Sequence, residues 1–271
     1  MESQILVESY IADLLKDEKY KSPRRLSRFG YKMYSQFDED GIIHEIFKRI
    51  GTRSRRFLEF GVGNGVENNS LALLAAGWTG AWIEANREQF SVAEAIFAKN
   101  IQDGNLKIIN EYVYRENINE LIYQLFGDNP DLDMLSIDID GNDYWVWEAI
   151  TSVSPRLIVI EYNGTWRPHI SVTTEYSKDN YWKGNNHFGV SLKALEIMGR
   201  KKGYSLVGCG LAGANAFFVR DDLIGHNFHP PFTAEEHYEP ARYFLFSHAG
   251  HVAGYGPLVS VPDPTQTSSD A

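Results

Sequence analysis

One cysteine, Cys209, in a chain of 271 residues excludes an internal disulfide framework and a cysteine-rich zinc site. It also fits a reducing compartment, the cytosol. No apolar run approaches the ~20 residues that a membrane-spanning helix needs. The first twenty residues, MESQILVESYIADLLKDEKY, are acidic and amphipathic and lack the basic-then-apolar layout of a signal peptide. Positive charge is also scarce: 26 Lys and Arg against 36 Asp and Glu give a net charge of −10. Such a chain repels a nucleic-acid backbone unless a basic patch overrides the field. The two short basic clusters, Lys21 to Arg28 and Lys48 to Arg56, read more simply as solvated helix ends. A small molecule or a saccharide is the expected partner, and a homodimer stays open.

Apolar periodicity is plentiful. Residues 2–18 and 38–50 carry helical stripes, the second formed by Ile42, Ile43, Ile46, Phe47 and Ile50, with Ser35 ahead of it as a cap. From residue 57 short apolar strands alternate with amphipathic helices. The strands fall at 57–60, 80–84, 106–109, 134–138 and 156–161. The helices fall at 67–76, 87–99, 116–126 and 142–150. This alternation predicts an α/β domain with a mostly parallel sheet covered on both faces. A long polar and aromatic stretch, 163–187, interrupts it and reads as an inserted loop. A helix over 188–202 follows, then a hairpin of strands 204–209 and 215–219 around the glycine-rich GLAGA. The expected organisation is a helical extension over 1–50, a Rossmann-like domain over 51–220, and a tail over 221–271 whose last ten residues read as disordered.

The strongest motif is Glu59-Phe-Gly61-Val-Gly63-Asn-Gly65, placed where a strand passes into a helix. Glycines there permit a tight turn and a close approach of backbone to ligand. A structural turn would use the same residues, but Glu84 adds context. It ends the second strand, where a carboxylate can accept hydrogen bonds from both hydroxyls of a ribose. A nicotinamide-dependent dehydrogenase competes for this pattern. Its usual G-x-G-x-x-G loop faces a pyrophosphate, whereas here Val66 occupies the third glycine position. The Glu59 carboxylate would repel pyrophosphate and suits a ligand with a cationic amino acid end.

On these residues the chain resembles class I S-adenosylmethionine (SAM) dependent methyltransferases. Glu59–Gly65 is similar to their first motif and Trp82-Ile-Glu84 to their second. The run Leu135-Ser-Ile-Asp-Ile-Asp-Gly-Asn-Asp-Tyr144, with Ile158-Val-Ile-Glu161, looks like the I-D-x-[DE]-G…E pattern of FkbM-type methyltransferases, many of which act on sugars and secondary metabolites. Ser35-Gln-Phe-Asp-Glu-Asp-Gly41 looks like a lead-in shared by uncharacterised bacterial proteins of this fold. The resemblance covers roughly residues 35–220. It implies a seven-stranded sheet whose last strand is antiparallel. It also implies SAM as cofactor, with Glu59 at the amino acid end, Gly61, Gly63 and Gly65 closing around it, and Glu84 and Asp138 completing the pocket.

Acids gather where the fourth and fifth strands end: Asp138, Asp140, Asp143 and Glu161, with Asn163 just beyond. On one reading Asp138, Glu161 and Asn163 hold a magnesium-like ion that activates a hydroxyl, an arrangement similar to metal-dependent catechol and macrolide-sugar O-methyltransferases. On the other, these side chains cap helices and close turns. Of the eight histidines, His187 is the candidate general base because its loop overhangs the crevice. Asp138 and Asp140 share that catalytic assignment. Trp166, Tyr181 and Trp182 in the same loop are candidates for a substrate lid. The expected activity is O-methylation of a small-molecule or saccharide hydroxyl. N-methylation, a non-catalytic protein of the same fold and an NAD-binding protein are the alternatives.

Overall fold

The computed structural model describes residues 2–128, 130–179 and 182–246. Five short strands, β1 (Arg56–Phe60), β2 (Thr79–Ile83), β3 (Leu106–Ile109), β4 (Met134–Ile137) and β5 (Leu157–Glu161), form the parallel part of a sheet. β1, β2, β4 and β5 are almost wholly buried, as expected of parallel strands covered on both faces, while β3 at the sheet edge is only partly so. Side chains alternate between two cores. Leu58, Phe60, Ile158 and Ile160 face one. Phe57, Leu157 and Val159 face the other.

The first core is covered by α6 (Ile118–Phe126), α7 (Asp143–Ala149) and α8 (Leu192–Lys201). The second is covered by α2 (Glu39–Ile50), α3 (Leu71–Ala75) and α4 (Arg87–Ile96). The hairpin of β6 (Tyr204–Cys209) and β7 (Asn215–Arg220) enters with β7 antiparallel to both β5 and β6. The strand order is 3-2-1-4-5-7-6. This is the Rossmann-like fold of class I methyltransferases, as the sequence resemblance implied. The order reverses between β1 and β4, and the crevice at the carboxyl ends of those strands is where ligands bind in such sheets.

Three helices are clearly shorter than their patterns suggested. The stripe over 2–18 is α-helical only as α1 (Glu2–Leu14). The expected helix over 67–76 begins only at Leu71, because Asn68, Asn69 and Ser70 are held in a turn by Glu59 and by the Asn68 carboxamide. The one over 188–202 begins at Leu192, where the Ser191 hydroxyl accepts the Ala194 N–H as an N-cap. Pattern 87–99 divides into α4 and α5 (Ala98–Gln102) at Phe97, whose ring packs edge-on to Trp82 at 4.7 Å.

The chain's N-terminal and C-terminal parts close on each other and on the sheet. Ser35 and Asp40 exchange reciprocal bonds at the start of α2: the Ser35 hydroxyl accepts the Asp40 N–H, and the Asp40 carboxylate accepts the Ser35 N–H. The N-cap residue is Asp38, whose side chain makes no cap bond, so Ser35, expected as the cap, supports the first turn from three residues outside it. Asp38 accepts the Leu211 N–H and Glu39 accepts the Asn215 carboxamide, so the start of α2 is bonded to the β6–β7 hairpin. Lys19 pairs with Glu239, and Arg25 with Glu236. The final ten residues, expected to be disordered, lie outside the described residues. No helix among the described residues is long and apolar enough to cross a membrane.

Candidate active site

The glycine loop leaves the end of β1 and crosses toward β4. Gly61, at φ +73°, passes so close to the Asp138 carbonyl oxygen that a Cβ would lie 1.7 Å from it. Only glycine fits, on both conformational and steric grounds. Gly65, at φ +82°, faces the Phe97 and Trp82 rings in the same manner. The Gly63 N–H donates to the Glu84 carboxylate at 2.7 Å. The other Glu84 oxygen accepts the Asn86 N–H, also at 2.7 Å, which fixes the turn from β2 into α4.

Glu59 sits deeper than a direct ligand contact requires. It is 2% exposed, and its oxygens accept Asn69 N–H, Ser70 N–H and the Ser70 hydroxyl. Burial pushes its pKa up to about 7 against these donors. Glu59 does touch a cavity wall, but its hydrogen bonds hold the loop behind that wall. Sequence spacing assigned it to the ligand because a strand-end carboxylate gives no sign of which neighbour it will accept from.

Three cavities meet at the crevice. One, about 460 Å³, runs past Gly61, Gly63, Glu84, Asn86, Tyr112 and Asp138. Tyr112 and Tyr114 stack at 6.1 Å beside it, with the Lys178 ammonium over the Tyr114 ring. A glycine loop, a strand-end carboxylate and a partly aromatic wall suit a nucleoside. A second, about 340 Å³, follows the glycine loop along Asn64, Asn68 and Asn69 to Asp138, Glu161 and Asn215. A third, about 500 Å³, lies between Gln36, Phe37, Tyr243 and the inserted loop, including Trp182, Asn185 and Asn186. Phe37 and Tyr243 stack at 5.8 Å on its wall. Asp140 lines all three.

At this junction Asp138, Asp140 and Glu161 each place a carboxylate oxygen within 4.8 Å of the others. Asp140 reaches it from a left-handed backbone at φ +59°, a conformation costly for a residue other than glycine. Buried Asp143 holds that turn by accepting the Ile139 and Gly141 N–H groups at 2.9 and 3.0 Å. The turn-closing reading holds for Asp143, while Asp138, Asp140 and Glu161 face the crevice. Burial, then the neighbouring Asp140 and Asp143, hold the Asp138 carboxyl well above the usual range. Burial and then Asp138 do the same for Glu161, and burial raises Asp140.

Asn163 does not join this cluster. It is buried with its oxygen on the Thr165 N–H and hydroxyl and its nitrogen on the Asn186 and Phe188 carbonyls, anchoring the inserted loop. Turning toward the acids would break four hydrogen bonds. His187 is exposed; its neighbours Asn186 and Phe188 line the third cavity and it does not. Trp182 lines that cavity, Trp166 is half-buried away from it, and Tyr181 lies outside the described residues. Sequence reasoning missed Asn215, Phe37 and Tyr243. Only Phe37 had a signal, in the Ser35–Gly41 stretch.

No family model matches the chain, and no curated protein matches it. Among solved structures it is similar to the bifunctional kinase–methyltransferase WbdD, at 17% identity and TM-score 0.32, over 44% of this chain and 27% of that one. It is similar to magnesium protoporphyrin IX methyltransferase (ChlM) from Synechocystis PCC 6803 with bound SAH, at 14% identity and TM-score 0.40, over 80% and 83% of the two chains. It is also similar to the 4+2 cyclase SpnF, at 14% identity and TM-score 0.42, over 75% and 74%. Likenesses this distant carry no activity across; the fold rests on the strand order itself.

Proposed function

We propose that the protein is a SAM-dependent methyltransferase acting on a hydroxyl of a small polar molecule, a saccharide in preference. One observation supports this most: Asp140 lines the glycine-loop cavities and the separate aromatic-and-amide cavity alike. A donor in the first pair and an acceptor in the third would meet beside a carboxylate.

The glycine loop fits SAM because Gly61 lets the loop close against the β4 end and Gly63, with open space at its Cβ position, leaves room beside the backbone. Glu84 and Asn86 stand at the β2 end, where ribose hydroxyls are accepted in folds of this type. SAM supplies a methyl group on a positively charged sulfur. With SAM bound, the carbon–sulfur bond would break as the carbon–oxygen bond formed, the sulfur would keep the bonding pair, and a carboxylate of the crevice cluster would take the hydroxyl proton. A cationic sulfur nearby would draw the raised Asp138 and Glu161 carboxyls toward their ionised forms, which in turn would stabilise it. Asp140, the most exposed of the three crevice acids, is placed to accept the proton. A magnesium ion among these oxygens would lower the hydroxyl's pKa to the same end.

The acceptor side is built for sugar chemistry. Trp182, Phe37 and Tyr243 offer ring faces, and Gln36, Asn185, Asn186 and Thr165 offer donors and acceptors. None of the described residues lining that cavity is cationic, so among them an anionic acceptor would meet carboxylates and no opposite charge. The test is turnover with methyl-labelled SAM against a panel of neutral, amino and acidic saccharides. Label transferred to a neutral sugar supports the reading, and label transferred only to amino sugars would favour N-methylation.

A further inference from the structure

We infer that Asn215 joins Asp138, Asp140 and Glu161 as the fourth oxygen donor of a divalent-cation site. Asn215 opens β7 directly opposite Glu161 in the antiparallel register, so the two side chains project from the same face of the sheet. It is 3% exposed and lines the cavity that Asp138, Asp140 and Glu161 also line.

Its carboxamide nitrogen donates to Glu39 at 2.9 Å, which settles which end of the amide is oxygen. That oxygen is buried and accepts no hydrogen bond. A buried acceptor without a donor is a cost that an ordered water or an ion removes. No described group donates to the three carboxylates beside it either, although these, unlike the Asn215 oxygen, reach the open crevice. A shared proton satisfies one pair of these oxygens. A cation satisfies all four at once and cancels the mutual repulsion of the acids.

The four donors come from the ends of three neighbouring strands, β4, β5 and β7, with Asp140 turned inward by the Asp143 bonds. All are oxygens, so the site suits a hard ion, magnesium, manganese or calcium, over zinc. Asn215, from the hairpin, takes the amide position that sequence spacing had assigned to Asn163.

Cation binding needs neither SAM nor acceptor, so it is separable from methyl transfer. Full-length protein stripped with chelator is titrated with manganese alone, following the loss of the free-ion paramagnetic signal, and its melting temperature is read with and without magnesium. One manganese per chain is expected, with a higher melting temperature in magnesium. Asp140→Asn, at a position where asparagine tolerates the left-handed backbone, should weaken manganese binding tenfold or more. Asn215→Ala should weaken it several-fold while the circular dichroism spectrum is unchanged. If Asn215→Ala does not fold, Asn215→Ser takes its place. Saturating manganese with no bound fraction overturns the site, as does binding that Asp140→Asn leaves unaltered. Binding that responds to Asp140→Asn but not to the Asn215 variants removes Asn215 from it.

Discussion

The Glu84 carboxylate accepts the Gly63 N–H at 2.7 Å, joining the end of the second strand to the middle of the glycine loop. The residue expected to hold a ribose therefore also sets the shape of the loop above it. Glu84→Ala should weaken SAM binding on the order of 1.5–3 kcal/mol, the range for losing hydrogen bonds to a charged group. Glu84→Gln keeps an acceptor for Gly63 and should lose less. Calorimetry on both variants checks the order; equal affinity in all three proteins removes Glu84 from the site.

Gly61 stands where the loop touches the β4 end, and its added Cβ would collide with the Asp138 carbonyl. Gly61→Ala combines that clash with a left-handed backbone and should destabilise the fold by about 2–5 kcal/mol. Gly63→Ala, with open space at its Cβ, carries only the backbone strain and should cost about 1–2 kcal/mol. Urea unfolding of the pair tests whether the first exceeds the second.

Asp38 gives the protein a pH dependence of defined sign. Burial, then the neighbouring Glu39 carboxylate and more weakly Glu239, push its pKa up to about 8, while the Leu211 N–H opposes them. The folded chain therefore holds this proton more tightly than the unfolded chain does. The resulting stability is complete below about pH 4 and is lost as the pH rises through about 8. Asp38→Asn should flatten the profile, narrowing the loss between pH 5 and pH 9 by on the order of 2 kcal/mol. Urea midpoints at the two pH values decide it, and a variant with the wild-type slope would clear Asp38 of the effect.

Trp182, 53% exposed, lies on the inserted loop with its indole N–H on the Asn185 carbonyl at 2.8 Å. Because it lines the acceptor cavity and not the glycine-loop cavities, Trp182→Ala should raise the KM for the acceptor about tenfold and leave SAM affinity unchanged. An altered SAM affinity with an unchanged acceptor KM would reverse the assignment of the two cavities.

What was legible in the sequence follows from what sequence encodes locally. Parallel strands buried on both faces read as apolar runs, so β1 to β5 stood out, and Gly61 and Glu84 followed from their places at strand ends. Side-chain direction was less visible. Asp138 and Asp143 are five residues apart in one motif, yet one faces the crevice and the other closes a turn. Asn163 lies just beyond the end of β5, much as Asp138 lies just beyond β4, but its amide is taken up by the inserted loop. Asn215 could not be found from its own surroundings, because its place opposite Glu161 depends on how the hairpin registers against β5. Phe37 and Tyr243 meet only because the two ends of the chain close on each other, a contact that local periodicity does not carry.

The central claim is that the crevice between β1 and β4 binds SAM. The most direct measurement is a calorimetric titration of the purified protein with SAM, with its demethylated product and with NAD. One molecule of SAM or of the product should bind per chain, with both weakened together in Glu84→Ala and no heat from NAD. Saturable binding of NAD with none of SAM would contradict it.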